Sequence, residues 1–311
     1  MPEETHKQFP PIALLAAIVI LLAVLCLVAF TSIRPPPAES TSAPAFVTIP
    51  TESVALFADA AIVVDMQSGA VLYEKNADAQ LPLASLTKVA LALAASEALP
   101  SETILTIPYY APGANGEALL KGERWPMQEI IDFMLLSSSN SAADILASAV
   151  NNEIRTRFAE APQTEAALWR MNQLVKEIGL KHTYFLNVSG LDLSATQAGA
   201  YGSARDVALL FSYAASADPA LFAGTAKGEM FLTSENGSRM AQNTNLAQGA
   251  IAGLILGKTG LTNLAGGNLA VVYDAGLGQP LVAVVLGSTE YGRFDDIQKL
   301  VSMSREVLAA E

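Results

Sequence analysis

The chain has 311 residues, 51% of them hydrophobic, with a formal net charge of −12, two histidines and one cysteine. So acidic a balance excludes nucleic acid and a polybasic membrane patch, both of which depend on a basic face. The lone Cys26 excludes an intramolecular disulfide, and His6 and His182 are too few for a zinc centre, so no metal is expected. Nothing around His182 resembles a nucleophile elbow, which leaves a Ser-His-Asp hydrolase without support.

Residues 11–30 form an unbroken apolar run. At about 1.5 Å per residue it matches the ~30 Å hydrocarbon core of a bilayer. A secretory signal core is shorter and follows a basic segment, whereas Lys7 here stands against Glu3 and Glu4. The expectation is therefore an uncleaved anchor at 11–31 behind a cytoplasmic tail at 1–10. Arg34-Pro35-Pro36-Pro37 stops the span, and the Pro/Ser/Thr-rich stretch 32–54 reads as an extended tether.

From residue 55 to residue 311 the chain reads as one mixed α/β domain. Residues 60–65 and 70–73 are β-rich runs around Gln67-Ser68-Gly69, a hairpin signal. An alanine- and leucine-rich helix opens at Ser85 and runs to about Ala95. Helical patterns follow at 127–133 and 166–178, where Leu168, Met171, Leu174, Val175 and Ile178 share one face. Residues 268–273 and 281–286 read as buried strands joined by Gly276-Leu277-Gly278, and 295–310 closes as a helix. Strands at both ends of a helical insertion predict a sheet assembled from the two ends of the domain.

Three short strings carry polar chemistry. Ser85 and Lys88 lie three apart on a helix and share a face. A serine hydroxyl needs a base, and lysine serves only when burial or a second cation, here Lys258, lowers its pKa. Ser138-Ser139-Asn140 falls between two helical patterns and in isolation reads as a helix cap. In combination, Ser138 can relay a proton to a leaving amine, while the Asn140 amide can bind a substrate backbone and position Lys88. Lys258-Thr259-Gly260 ends an apolar run, as in an edge strand beside a cleft. Lysine and a hydroxyl there can hold a carboxylate, and Gly260 leaves room for a substrate backbone. Residues 252–259 formally fit a relaxed phosphate loop, but bulky Leu254-Ile255-Leu256 cannot form an open backbone nest. Asn187-Val188-Ser189 and Asn236-Gly237-Ser238 read as loop and turn residues.

In this order the three strings resemble the active-site elements of penicillin-binding proteins and serine β-lactamases. The likeness covers about residues 55–305 and is most specific to the serine-type D-alanyl-D-alanine carboxypeptidases, the low-molecular-mass penicillin-binding proteins. Residues 71–78 and 83–88 are similar to that family's first hairpin and nucleophile helix. Residues 185–192, 203–206 and Asn243-Thr244-Asn245-Leu246 resemble its central landmarks, and 284–287 with Arg293-Phe294 its last strand and exit. The resemblance implies an α/β (α+β) fold, an antiparallel sheet flanked by helices with a mostly helical subdomain.

It further implies that Ser85 attacks the bond between two terminal D-alanines of a peptidoglycan stem peptide, with Lys88 as base and Ser138 as relay. Backbone N–H groups of Ser85 and Leu261 would hold the oxyanion. Lys258, Thr259 and Arg293 would bind the terminal carboxylate. β-Lactam antibiotics would acylate the same serine, no cofactor is implied, and the domain would face outward from a bacterial cell membrane. Many relatives continue into a β-rich domain and a C-terminal membrane-binding helix, which the N-terminal span is expected to replace. Ser141, Gly257 and Leu261 depart from the family's usual Asp, aliphatic and aromatic or His residues. Alternatives are a cross-link-cutting endopeptidase, a serine β-lactamase and a catalytically silent wall-binding homologue. For the β-lactamase, Glu177 lies at a suitable distance, but Lys181 occupies the position of its Asn partner, and Glu177 reads as helix surface.

Overall fold

The computed structural model describes residues 54–276 and 278–310. The expected tail, membrane span and linker up to residue 53 lie outside the described residues, as does Leu277. Among the described residues no single helix is long and apolar enough to cross a membrane.

A five-stranded antiparallel sheet organises the domain. Its strands are β1 (Ala60–Asp65), β2 (Val71–Lys75), β3 (Leu254–Thr262), β4 (Gly266–Asp274) and β5 (Pro280–Ser288), in spatial order β3-β4-β5-β1-β2. The predicted hairpin joins β1 to β2. Gly69 turns it with φ of 74°, and the Asp65 carboxylate accepts the N–H groups of Gln67 and Ser68, both at 2.8 Å. β5 pairs with β4 on one side and β1 on the other, placing Ala283 opposite both Val271 and Val63. The two ends of the domain thus meet in one sheet, as the order of elements predicts.

The longer helices are α1 (Lys88–Ala98), α2 (Met127–Leu136), α3 (Asn140–Arg157), α4 (Ala166–Ile178), α5 (Ala204–Ala217) and α6 (Gly292–Ala309). Both sheet faces are covered, which is why β4 and β5 are apolar at successive positions instead of alternating. Ile62, Val272, Val282 and Val284 join the core shared with α1 to α5, whereas Val63, Val271, Tyr273 and Val285 pack with Phe294, Ile297 and Leu300 of α6.

One predicted boundary moves. The helix expected to open at Ser85 opens at Lys88, and Ser85 sits in a 3-10 turn, Ala84–Thr87. Tertiary pairing causes the shift. The chain arrives from a short strand, Leu81–Pro82, bonded to Ala200–Gly202, and reverses at Ala84 with φ of 49°. The Thr87 hydroxyl closes the turn by donating to Ala84 O at 2.8 Å. Residues three apart eclipse in such a turn, so Ser85 and Lys88 still share a face.

Candidate active site

β3 forms one edge of the sheet, and its Lys258–Leu261 stretch runs beside the Ser85 turn. Gly260 sets that distance. A Cβ placed there would meet Leu83 O at 2.8 Å and Ala84 Cβ at 3.1 Å. The room expected for a substrate backbone is therefore taken by the protein's own turn, and Gly260 is not part of the cleft lining. The cleft, about 470 Å³, is lined by the predicted Ser85, Ser138, Asn140, Thr259, Leu261 and Arg293. Lys88 and Lys258 stand behind this lining, 0% and 1% exposed.

Lys88 is the hub of the nucleophile side. Its Nζ lies 2.8 Å from Ser85 Oγ and donates to Asn140 Oδ1 at 2.7 Å and Ser189 O at 2.9 Å. Burial pushes its ammonium down to about 7, against the opposing pull of the Asp144 carboxylate. As a free amine, Nζ keeps two hydrogens for the two carbonyl-type acceptors and turns its lone pair to the Ser85 hydroxyl. The same three oxygens can also accept the three hydrogens of the ammonium, so it is burial that favours the neutral form. Ser189 was not a predicted partner, because a main-chain oxygen has no signature in residue type. Its loop is held by Asn187 Oδ1, which accepts from Gly190 N at 2.7 Å. Glycine is required at 190: φ is 79°, and a Cβ would lie 1.9 Å from Ala84 O.

The second string splits its work. Ser139 caps α3, accepting from Ala142 N at 3.1 Å, so the cap reading holds for that residue. Ser138, between α2 and α3, adopts φ of 55°, and its Oγ accepts from Lys258 Nζ at 2.9 Å. Such a left-handed conformation in a non-glycine residue costs on the order of 1–3 kcal/mol and is concentrated at functional sites.

On the β3 side, Lys258 also donates to Thr259 O at 2.9 Å, and its pKa is held well below the ordinary value by burial, then by the charges of Lys88 and Arg293. At Lys88 burial alone lowers the pKa, and Lys258, expected as a second cation there, is not among the causes. Arg293 Nη1 donates to Gly260 O at 2.7 Å, while its buried Nε has no partner among the described residues. Thr259 Oγ1 lies 2.6 Å from the hydroxyl of Thr244, a cleft residue not predicted as part of the site. Leu261 forms rim, 44% exposed. Glu177 is ion-paired to Arg170 at 2.6 Å and is not among the cleft residues, in keeping with helix surface. The stretch that mimics a phosphate loop lies largely in β3, with no nest. Among the described residues no group of three or more His, Cys, Asp or Glu side chains could hold a metal ion.

Residues 47–290 match the peptidase S11 family, D-alanyl-D-alanine carboxypeptidase. The chain belongs to this family. It is similar to the D-alanyl-D-alanine carboxypeptidase DacA of Escherichia coli (strain K12), with 30% identity over 258 residues, 79% of this chain and 60% of that protein. The chain thus spans about 60% of the length of such curated relatives. The D-alanyl-D-alanine endopeptidase of Pseudomonas aeruginosa is 27% identical over 87% of this chain and 84% of its own length. Penicillin-binding protein D2 of Listeria monocytogenes, in its ampicillin-bound form, aligns with a TM-score of 0.67 and 28% identity, covering 82% of this chain and 98% of that one. The fold of this family member is α+β, of the DD-peptidase and β-lactamase kind, with an antiparallel sheet and helices.

Proposed function

We propose that this peptidase S11 member removes the terminal D-alanine from peptidoglycan stem peptides through an acyl-enzyme on Ser85. The observation that carries the proposal is the 2.8 Å contact of Lys88 Nζ with Ser85 Oγ, in an enclosure that brings the amine to about 7. The free amine takes the serine proton as Oγ adds to the carbonyl of the penultimate D-alanine. Backbone N–H groups of Ser85 and Leu261 receive the negative oxygen. As the C–N bond breaks, the Ser138 hydroxyl passes a proton to the leaving amine and is resupplied with the proton that Lys88 took from Ser85, so that both lysines end as they began. Asn140 aligns the peptide, and Lys258, Thr259 and Arg293 hold its terminal carboxylate. Gly260 keeps the edge strand against the nucleophile turn. Water then cleaves the ester and returns Ser85.

β-Lactams acylate the same serine in this reading, supported by the ampicillin-bound state of the similar Listeria protein. The proposal also places residues 11–31 as a single membrane span, supported by the apolar run, with the domain on the outer side, where its proposed peptidoglycan substrate lies. The Pseudomonas endopeptidase, matched over 84% of its own length, favours a second reading in which cross-linked stem peptides are cut. Mass spectrometry after incubation with a pentapeptide mimic and with a cross-linked dimer separates the two. Loss of one D-alanine, abolished in Ser85→Ala together with penicillin labelling, is the expected result. An intact pentapeptide beside a cleaved dimer favours the endopeptidase, rapid penicillin turnover a β-lactamase, and labelling on another residue sinks both peptidase readings.

A further inference from the structure

We infer that Thr244 sets the preference of this cleft for a ligand with a free carboxylate, by fixing the rotamer in which the Thr244–Thr259 hydroxyl pair delivers a proton into the cleft. The inference rests on the proposal that the β3 side receives the terminal carboxylate.

Thr244 is held from both sides by main chain. Asn243 Nδ2 donates to Thr225 O and Lys227 O, both at 2.8 Å, and Asn243 Oδ1 accepts from Asn245 N at 2.9 Å. Asn245 Oδ1 in turn accepts from Ala247 N at 3.1 Å. Between these clamps, Thr244 N donates to Leu136 O at 3.0 Å, just ahead of the string that holds Ser138. The segment therefore spans from the end of α2 to the edge strand, and its Thr244 hydroxyl meets that of Thr259 at 2.6 Å inside the cleft.

Two hydroxyls bring two hydrogens, and one contact consumes one of them. The nearby oxygens of Thr259 and Gly260 already accept from Lys258 and Arg293. Both hydroxyls line the cleft, so the spare hydrogen can face it, where it adds to the Arg293 guanidinium, with the Lys258 amine behind the lining. Without the Thr244 hydroxyl, the Thr259 rotor is free to turn away, and a carboxylate loses one oriented donor. A neutral end group makes weaker use of that donor, so the loss falls on selectivity.

The test compares second-order acylation rates of benzylpenicillin and its methyl ester on the full chain. Thr244→Val should cut the preference for acid over ester by about tenfold, the size of one lost hydrogen bond to a charged group. Thr244→Ser should restore it to within about twofold, and with the pentapeptide Thr244→Val should raise KM more than it lowers kcat. An unchanged acid-to-ester ratio, an equal loss on both compounds, or failure of Thr244→Ser to restore the ratio each overturns the inference. Thr244→Ala replaces the valine variant if the latter does not fold. Absence of D-alanine release by the unmodified protein sinks the functional reading, while the acid-to-ester ratio still decides on Thr244.

Discussion

Lys88 and Lys258 serve one cleft from equal depths, yet their surroundings differ. Lys88 faces three oxygens, two of which only accept, so every hydrogen and the lone pair of a neutral amine have a use. Lys258 meets two oxygens and stands near Arg293, itself left with an unpartnered Nε. Desolvation lowers both pKa values, so burial alone does not distinguish them. Their partners do: Lys88 touches Ser85, whereas Lys258 touches Ser138 and stands near Arg293. A buried amine against a hydroxyl is placed to act as its base, whereas an amine grouped with a buried guanidinium that has a donor to spare is placed to receive an anion.

The sharpest way to break this division is to remove each amine in turn. Lys88→Met should slow acylation by penicillin about 10²- to 10⁴-fold. On penicillin methyl ester, Lys258→Met should cost far less than Lys88→Met, and equal losses would dissolve the distinction. Next in size is pH. Protonated Lys88 has no lone pair, so acylation should fall about tenfold per unit below a pH of about 7 and level off above it. A flat profile between pH 5 and 8, read by stopped-flow acylation, would remove Lys88 as base. Smaller still is Gly260→Ala. The added methyl meets a backbone oxygen at 2.8 Å and should push β3 from the nucleophile turn, lowering stability by about 1–3 kcal/mol in thermal melts and slowing acylation. Smallest is Glu177→Gln, where Arg170 keeps Glu97 as partner. Stability should change by less than about 1 kcal/mol and penicillin turnover not at all.

The β1–β2 hairpin, the α4 helix and the strand character of β4 and β5 were legible because each rests on local pattern: a Gly-bearing turn, a repeating apolar face, runs of β-branched residues. The three strings were legible because side-chain types announce proton transfer. What escaped was set by distant backbone. The 3-10 turn at Ser85 exists because Leu81–Pro82 pairs with a strand far along the chain. The Ser189 carbonyl and the crowding at Gly260 are main-chain features. Gly257, a departure from the family pattern, has a local cause. Its N–H donates to Thr225 Oγ1 at 3.1 Å, and the Asn245 amide lies 3.0 Å from where its Cβ would stand. Asn243-Thr244-Asn245-Leu246 was visible as a landmark, but Thr259 as its partner was not.

Among the described residues β5 comes last of the five sheet strands in sequence, yet it lies in the middle of the sheet, bonded to β4 and β1. Ser85 is synthesised about 200 residues before β5, but the hairpin that bears Lys258 joins β1 only after residues 280–288 have slotted between them. A nascent or prematurely stopped polypeptide can thus hold all three strings while lacking the central strand that unites the two halves of the sheet. The cleft is thus complete only once residues 280–288 have docked, which makes the docking of one strand a checkpoint on assembly of the site.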